Sequence, residues 1–158
     1  MTASCMGTRK QPISEEAVVN DPIAILKRDH REAADLLRQL AASKKPTATR
    51  RKTTDKLVAA LRLHMEIEEK FVYPLVARNV GQEEEREAET EHRLARAGLA
   101  KMAELVDEGG FGAAVAMVTA GIKHHVKEEE TEIFPKLKAK LERSELADLG
   151  DRVAAAKR

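Results

Sequence analysis

Apolar positions along this chain recur every three to four residues, and short polar or glycine-bearing breaks divide the recurrence into segments. Ile23, Leu26, His30, Ala33, Leu37 and Leu40 share one face of a helix that starts at Asn20-Asp21-Pro22, where a capping side chain precedes a proline in the first turn. Ser43-Lys44-Lys45-Pro46 ends it. A second helix, beginning near Thr47, carries Leu57, Leu61, His64, Glu68, Phe71 and Leu75 along one side. Pro74 kinks that helix or ends its regular part. Gly81 separates it from a third helix, Glu83 to about Asp107, and Gly109-Gly110 separates that from a fourth, about Phe111 to Leu141, with Pro135 near its end. Ser144 is placed to cap a short fifth helix, Glu145 to Ala156. The pattern predicts an all-α fold, an antiparallel four-helix bundle with a short C-terminal helix packed on it. Residues 20–158 form that domain. Residues 1–19 lack periodicity and are expected to be a flexible tail.

Composition agrees with helices, because charged residues make up 35% of 158 and Ala, Leu, Glu, Lys and Arg dominate. The formal charge of +1 gives no pull toward nucleic acid or an anionic membrane, and the absence of Trp leaves little for base stacking. No apolar run reaches the ~20 residues of a membrane span, and no signal core is visible, so a cytoplasmic home is expected. Cys5 is the one cysteine, which excludes a disulfide framework and reads as an incidental exposed thiol.

The polar residues on the apolar stripes change the picture. A shift of 61 residues lays His64, Glu68 and Pro74 on His125, Glu129 and Pro135. A shift of 62 lays Asp29-His30-Arg31 on Glu91-His92-Arg93. The first two helices thus read as an old copy of the next two. A helix turns about 100° per residue, so His64 and Glu68 project from almost one face, as do His125 and Glu129. Imidazoles and carboxylates on core faces are costly to bury without partners. Four helices delivering one His each, two with a Glu one turn on, satisfy them together around metal. His30, His64, Glu68, His92, His125 and Glu129 are too many ligands for one tetrahedral zinc and suit two ions, with carboxylates bridging and imidazoles capping. Nitrogen and oxygen donors without thiolate favour iron, then manganese or zinc. His124 is expected on a flank, and Glu128 and Glu130 are expected to face solvent.

These residues, with "FVYP" and "EIFP" after the two His-x-x-x-Glu pairs, resemble the hemerythrin-like (HHE cation-binding) domains over about residues 22–141. The resemblance implies a four-helix bundle holding two non-haem irons with an oxygen bridge. It makes Glu68 and Glu129 the bridging carboxylates and His30, His64, His92 and His125 the terminal ligands. Oxygen-carrying hemerythrins place a second His one turn after the helix-three ligand, where this chain has Arg96. Fewer imidazoles leave exchangeable positions on the irons unless a side chain such as Tyr73 fills one. On an ideal helix Tyr73 projects about 140° from Glu68, so core packing is its expected job, as for Phe71 and Phe134.

Two functions from different classes follow. Open iron positions and two stored electrons suit an oxidoreductase that decomposes hydrogen peroxide, a reaction that needs no outside reductant; nitric oxide chemistry is a variant. The alternative is an oxygen- or iron-binding sensing module without turnover. A plain helical bundle without metal is the bland third reading.

Overall fold

Three of the helices start where a side chain accepts from orphan backbone N–H groups. In the computed structural model, which describes residues 20–158, Asp21 Oδ1 accepts from the N–H groups of Ile23 (2.9 Å) and Ala24 (3.2 Å), and α1 runs Pro22–Ala42. The tail expected over residues 1–19, Cys5 included, lies outside the described residues. Thr47 Oγ1 accepts from Arg50 N–H (3.0 Å) and opens α2, Ala48–Ile67. A π-helical turn, Glu68–Val72, joins α2 to α3, Tyr73–Asn79. α4 is Gln82–Glu104. The turn before α5, Phe111–Glu128, requires Gly110, whose φ of 93° is left-handed. A second π-helical turn, Glu129–Ile133, joins α5 to α6, Phe134–Lys140. α7 is Arg143–Ala156. Among the described residues no strand forms, and no helix is long and apolar enough to cross a membrane.

Two expectations are corrected at this level. The last helix begins at Arg143 because Glu142 and Glu145 exchange the reciprocal bonds of a capping box, and Ser144 lies inside it. The two prolines produce wide turns instead of simple kinks. Tyr73 N–H reaches back to Glu68 C=O, and Phe134 N–H to Glu129 C=O, five residues each. In an α-helix the rings of Pro74 and Pro135 would press on the carbonyls of Lys70 and Thr131, so widening the preceding turn relieves the clash.

α1 packs on α2, α5 and α7, and α4 on α2, α3 and α5. The buried apolar residues divide into two clusters. One holds Leu36, Leu40, Leu57, Leu61, Leu99, Met102, Phe111 and Val115; the other holds Leu26, Ile67, Val76, Ala88, Phe134, Leu137, Leu149 and Val153. On α1, α4 and α5 a histidine falls between the stretches feeding the two clusters, so the polar set sits where the clusters meet. Burying each leucine of this kind contributes about 1.5–3 kcal/mol, which supports the cost of the polar layer between them. α7 closes over the second cluster. Gly150 lies so near the Asn20 carbonyl that a Cβ has no room, and Asn20 donates to Asp151 Oδ1 at 2.9 Å.

Candidate metal centre

The structure brings all six predicted residues together. Glu68 and Glu129 are fully buried, and His30, His64, His92 and His125 are buried beside them. The two i,i+4 pairs hold as drawn from sequence: His64 Nε2 lies 3.2 Å from Glu68 Oε2, and His125 Nε2 lies 3.4 Å from Glu129 Oε2. The partner helices add His92 Nε2, 3.3 Å from Glu68 Oε2, and His30 Nε2, 3.3 Å from Glu129 Oε2. Two ligand groups result, His30-His64-Glu68-Glu129 and Glu68-His92-His125, each with donor atoms within 4.8 Å of one another. Glu68 belongs to both, and Glu129 faces a histidine of each.

Four further carboxylates surround this core. His30 Nδ1 pairs with Glu130 (2.8 Å), His64 Nδ1 with Asp29 (3.2 Å), His92 Nδ1 with Glu69 (2.9 Å) and His125 Nδ1 with Glu91 (2.7 Å). A carboxylate only accepts, so each Nδ1 carries the hydrogen and donates it. Neutral rings so arranged aim their Nε2 lone pairs inward. Those of His30 and His64 face each other at 3.1 Å, and those of His92 and His125 at 3.0 Å. Glu68 Oε1 and Oε2 and Glu129 Oε2 are buried and accept no hydrogen bond. Lone pairs and carboxylate charge converging in a buried space require positive charge there, either as protons or as metal ions. The donor set therefore fits cations. The same conflict governs the titrations. Burial pushes the His64 imidazole down, but the Glu68 charge and the Asp29 bond outweigh it and hold it at about 10. His125 is held at about 9 against burial by Glu129 and Glu91. Glu68 is lowered well below the usual carboxylate range, because His64 with His92 and His125 outweighs its desolvation.

Tyr73 packs in the second apolar cluster, as expected, and its hydroxyl also enters the site. Its hydroxyl donates to Glu129 Oε1 at 3.1 Å and lies 2.9 Å from His92 Nε2. The π-helical turn inserts one residue, which carries Tyr73 round to the ligand face. Burial, then the charges of Glu68 and Glu129, raise its pKa well above 10, so the phenol keeps its proton. Its repeat counterpart Phe134 is buried and stacks on His30, centroids 6.0 Å apart and planes 6° from parallel. Phe71, half-buried, packs against the edge of the second cluster, as expected.

Glu130 is corrected as well. It is partly buried and bonded to His30, not free in solvent. Glu128 stays at the surface as expected, and His124, 62% exposed, lies on the flank 3.1 Å from Glu91. Arg96 does not point into the site; its guanidinium grips Glu69 through two bonds of 2.8 Å. Sequence reasoning missed the four outer carboxylates, although the repeat held a signal. The shift relating Glu68 to Glu129 also relates Glu69 to Glu130, and Asp29 stands to His30 as Glu91 stands to His92.

An open trough of about 530 Å³ lies between α1 and α5. Leu37, Ile122 and Val126 wall it, and His30 and Glu130 line one end.

The hemerythrin HHE cation binding domain family matches residues 21–137. A solved hemerythrin HHE cation binding domain-containing protein from Mycobacterium kansasii has a TM-score of 0.74 and 25% identity, covering 87% of this chain and 84% of that one. No curated protein matches the chain.

Proposed function

The chain belongs to the hemerythrin HHE cation binding domain family, and we propose that it is a non-haem di-iron protein that reacts with small oxidants, hydrogen peroxide first among them. In this reading the long helices form an antiparallel four-helix bundle, and His30, His64, His92 and His125 hold one iron pair. Glu68 and Glu129 would be the carboxylates common to the two ions. When bound, the paired irons supply a two-electron couple. Two molecules of peroxide then give two of water and one of oxygen, with no outside reductant. Nitric oxide is the variant substrate.

The observation that carries this reading is the set of inward Nε2 lone pairs and unpaired carboxylate oxygens between two apolar clusters. The chain's own groups then have definite tasks. The four outer carboxylates fix each imidazole in the Nδ1–H form and orient it, an arrangement whose loss lowers metal affinity by about 10–100-fold. Tyr73 keeps a proton at Oη beside Glu129 and His92, where a reacting oxygen can accept a hydrogen bond. The apolar clusters limit water around the site. The trough ending at His30 and Glu130 gives small molecules an approach.

The test is oxygen evolution from peroxide by purified iron-loaded protein, with Glu129→Ala as control. Turnover well above the control supports the reading. Equal rates mean that loose iron did the chemistry. Reversible oxygen uptake by the reduced protein without peroxide turnover would give the site to binding or sensing instead.

A further inference from the structure

The two halves of the ligand set are copies, but the charges behind them are not. Each outer carboxylate meets a second, basic group. Glu69 meets Arg96 (2.8 Å), Glu130 meets Lys27 (3.7 Å), Glu91 meets His124 (3.1 Å) and Asp29 meets Lys157 (2.5 Å). His64 and His125 are repeat partners, so Asp29-Lys157 and Glu91-His124 are equivalent positions filled by different chemistry. Lys157 is the residue that caps the end of α7, an element outside the repeat, so the second half has no counterpart for it. The contact is well sheltered: the Lys157 and Asp29 side chains are only 21% and 14% exposed, whereas His124 is 62% exposed. Lys157 Nζ also binds Asp29 Oδ2, the same oxygen that accepts from His64 Nδ1. On Glu91 the two histidines use different oxygens, whereas Arg96 and His92 share Glu69 Oε1 in the other ligand group.

We infer that Lys157 is a positioning and tuning residue, through which the C-terminal helix weakens His64 as a donor to metal. The inference rests on the di-iron reading. An ammonium on the accepting oxygen draws negative charge away from the His64 Nδ1–H bond, so less electron density reaches Nε2. Removing it leaves Asp29 to act with full charge, making His64 a stronger donor and favouring the more oxidised metal. Both the donor effect and the loss of a nearby positive charge lower the reduction potential. Because α7 docks through Gly150 on Asn20 and through Leu149 and Val153 in the core, displacement of this helix and loss of Lys157 act in the same direction.

The experiment compares midpoint potentials of iron-loaded wild-type, Lys157→Met and Lys157→Arg proteins by optical redox titration. Lys56→Met, which breaks an exposed pair with Glu32, serves as control. Lys157→Met is expected to keep its iron and shift at least one midpoint to a more negative value than the control does; Lys157→Arg stays near wild type. Asp29→Asn should move the midpoint the opposite way, and Lys157→Met added to Asp29→Asn should have a smaller effect than alone. If Lys157→Met loses helicity, Asp29→Asn alone carries the test, and a midpoint no more positive than that of Lys56→Met overturns the inference. Iron-loaded Lys157→Met indistinguishable from Lys56→Met overturns this inference while leaving the di-iron reading intact. Equal effects of Lys157→Met with and without Asp29→Asn also overturn it. A wild-type protein that holds no iron overturns both.

Discussion

Tyr73 Oη lies 3.1 Å from Glu129 Oε1 although the two residues come from opposite halves of the chain's repeat. The contact exists because the turn after Glu68 is π-helical, so position 73 takes the bearing that position 72 has in an α-helix. In the other half the same device brings Phe134 onto His30. One device therefore gives one end of the site a proton donor and the other an apolar lid.

Tyr73→Phe tests the polar half. It leaves a buried Glu129 oxygen without its donor, which costs about 1–3 kcal/mol. Chemical denaturation of metal-free protein should show a loss in that range. The mirror change Phe134→Tyr adds a hydroxyl that nothing in the repeat provides for, and it should not restore Tyr73→Phe. Full stability in Tyr73→Phe would mean that the hydroxyl is not bonded to Glu129.

The metal-free protein should depend on pH in a definite direction. His64 and His125 are raised in the folded state to about 10 and about 9, above the unfolded value of about 6.5. A raised pKa stabilises fully below about pH 6.5, and that stability is lost as pH rises through 9 to 10. Metal-free protein should therefore unfold more readily at pH 9 than at pH 6. Saturating metal should flatten the dependence and add roughly 2.7 kcal/mol at a hundred times Kd for each site. Denaturation curves with and without a chelator at the two pH values check both statements.

Much of this was legible in the sequence because helical periodicity and a repeat are independent signals that met on the same residues. Ser43–Pro46, Gly81 and Gly109-Gly110 punctuate the helices where expected, and His30, His64, Glu68, His92, His125 and Glu129 converge as the face argument required. What escaped were consequences of the two prolines and of charge. An ideal 100° step cannot anticipate a wide turn, so core packing of Tyr73 is legible but the reach of its hydroxyl to Glu129 and His92 is not. Glu130 looked like one more solvated acid in a Glu-rich run, and only its contact with His30 shows otherwise. Lys157 lies outside the repeat, so no internal comparison pointed to it.

Neighbouring histidines should separate cleanly. His125→Ala removes a buried ring that faces Glu129 and His92, and metal content should fall. His124→Ala removes an exposed ring bound to Glu91 and Glu128, and metal content should stay near wild type. The reverse result would put helix α5 in the wrong register.

The outer carboxylates should matter for affinity while leaving the fold in place. Glu69→Gln and Glu130→Gln keep the size of the side chain and remove the charge that orients His92 and His30. Competition with a chromophoric chelator should show metal binding weakened by about 10–100-fold. Unchanged affinity in both would reduce these contacts to surface ion pairs.

The central claim is that His30, His64, Glu68, His92, His125 and Glu129 together hold two irons. Metal analysis of protein purified without added chelator tests it most directly, run beside Glu68→Ala, which removes the carboxylate common to both ligand groups. About two irons per chain are expected in the wild type, and a large loss from both positions in Glu68→Ala. Near-stoichiometric zinc with little iron, no bound metal, or iron retained in full by Glu68→Ala would contradict it.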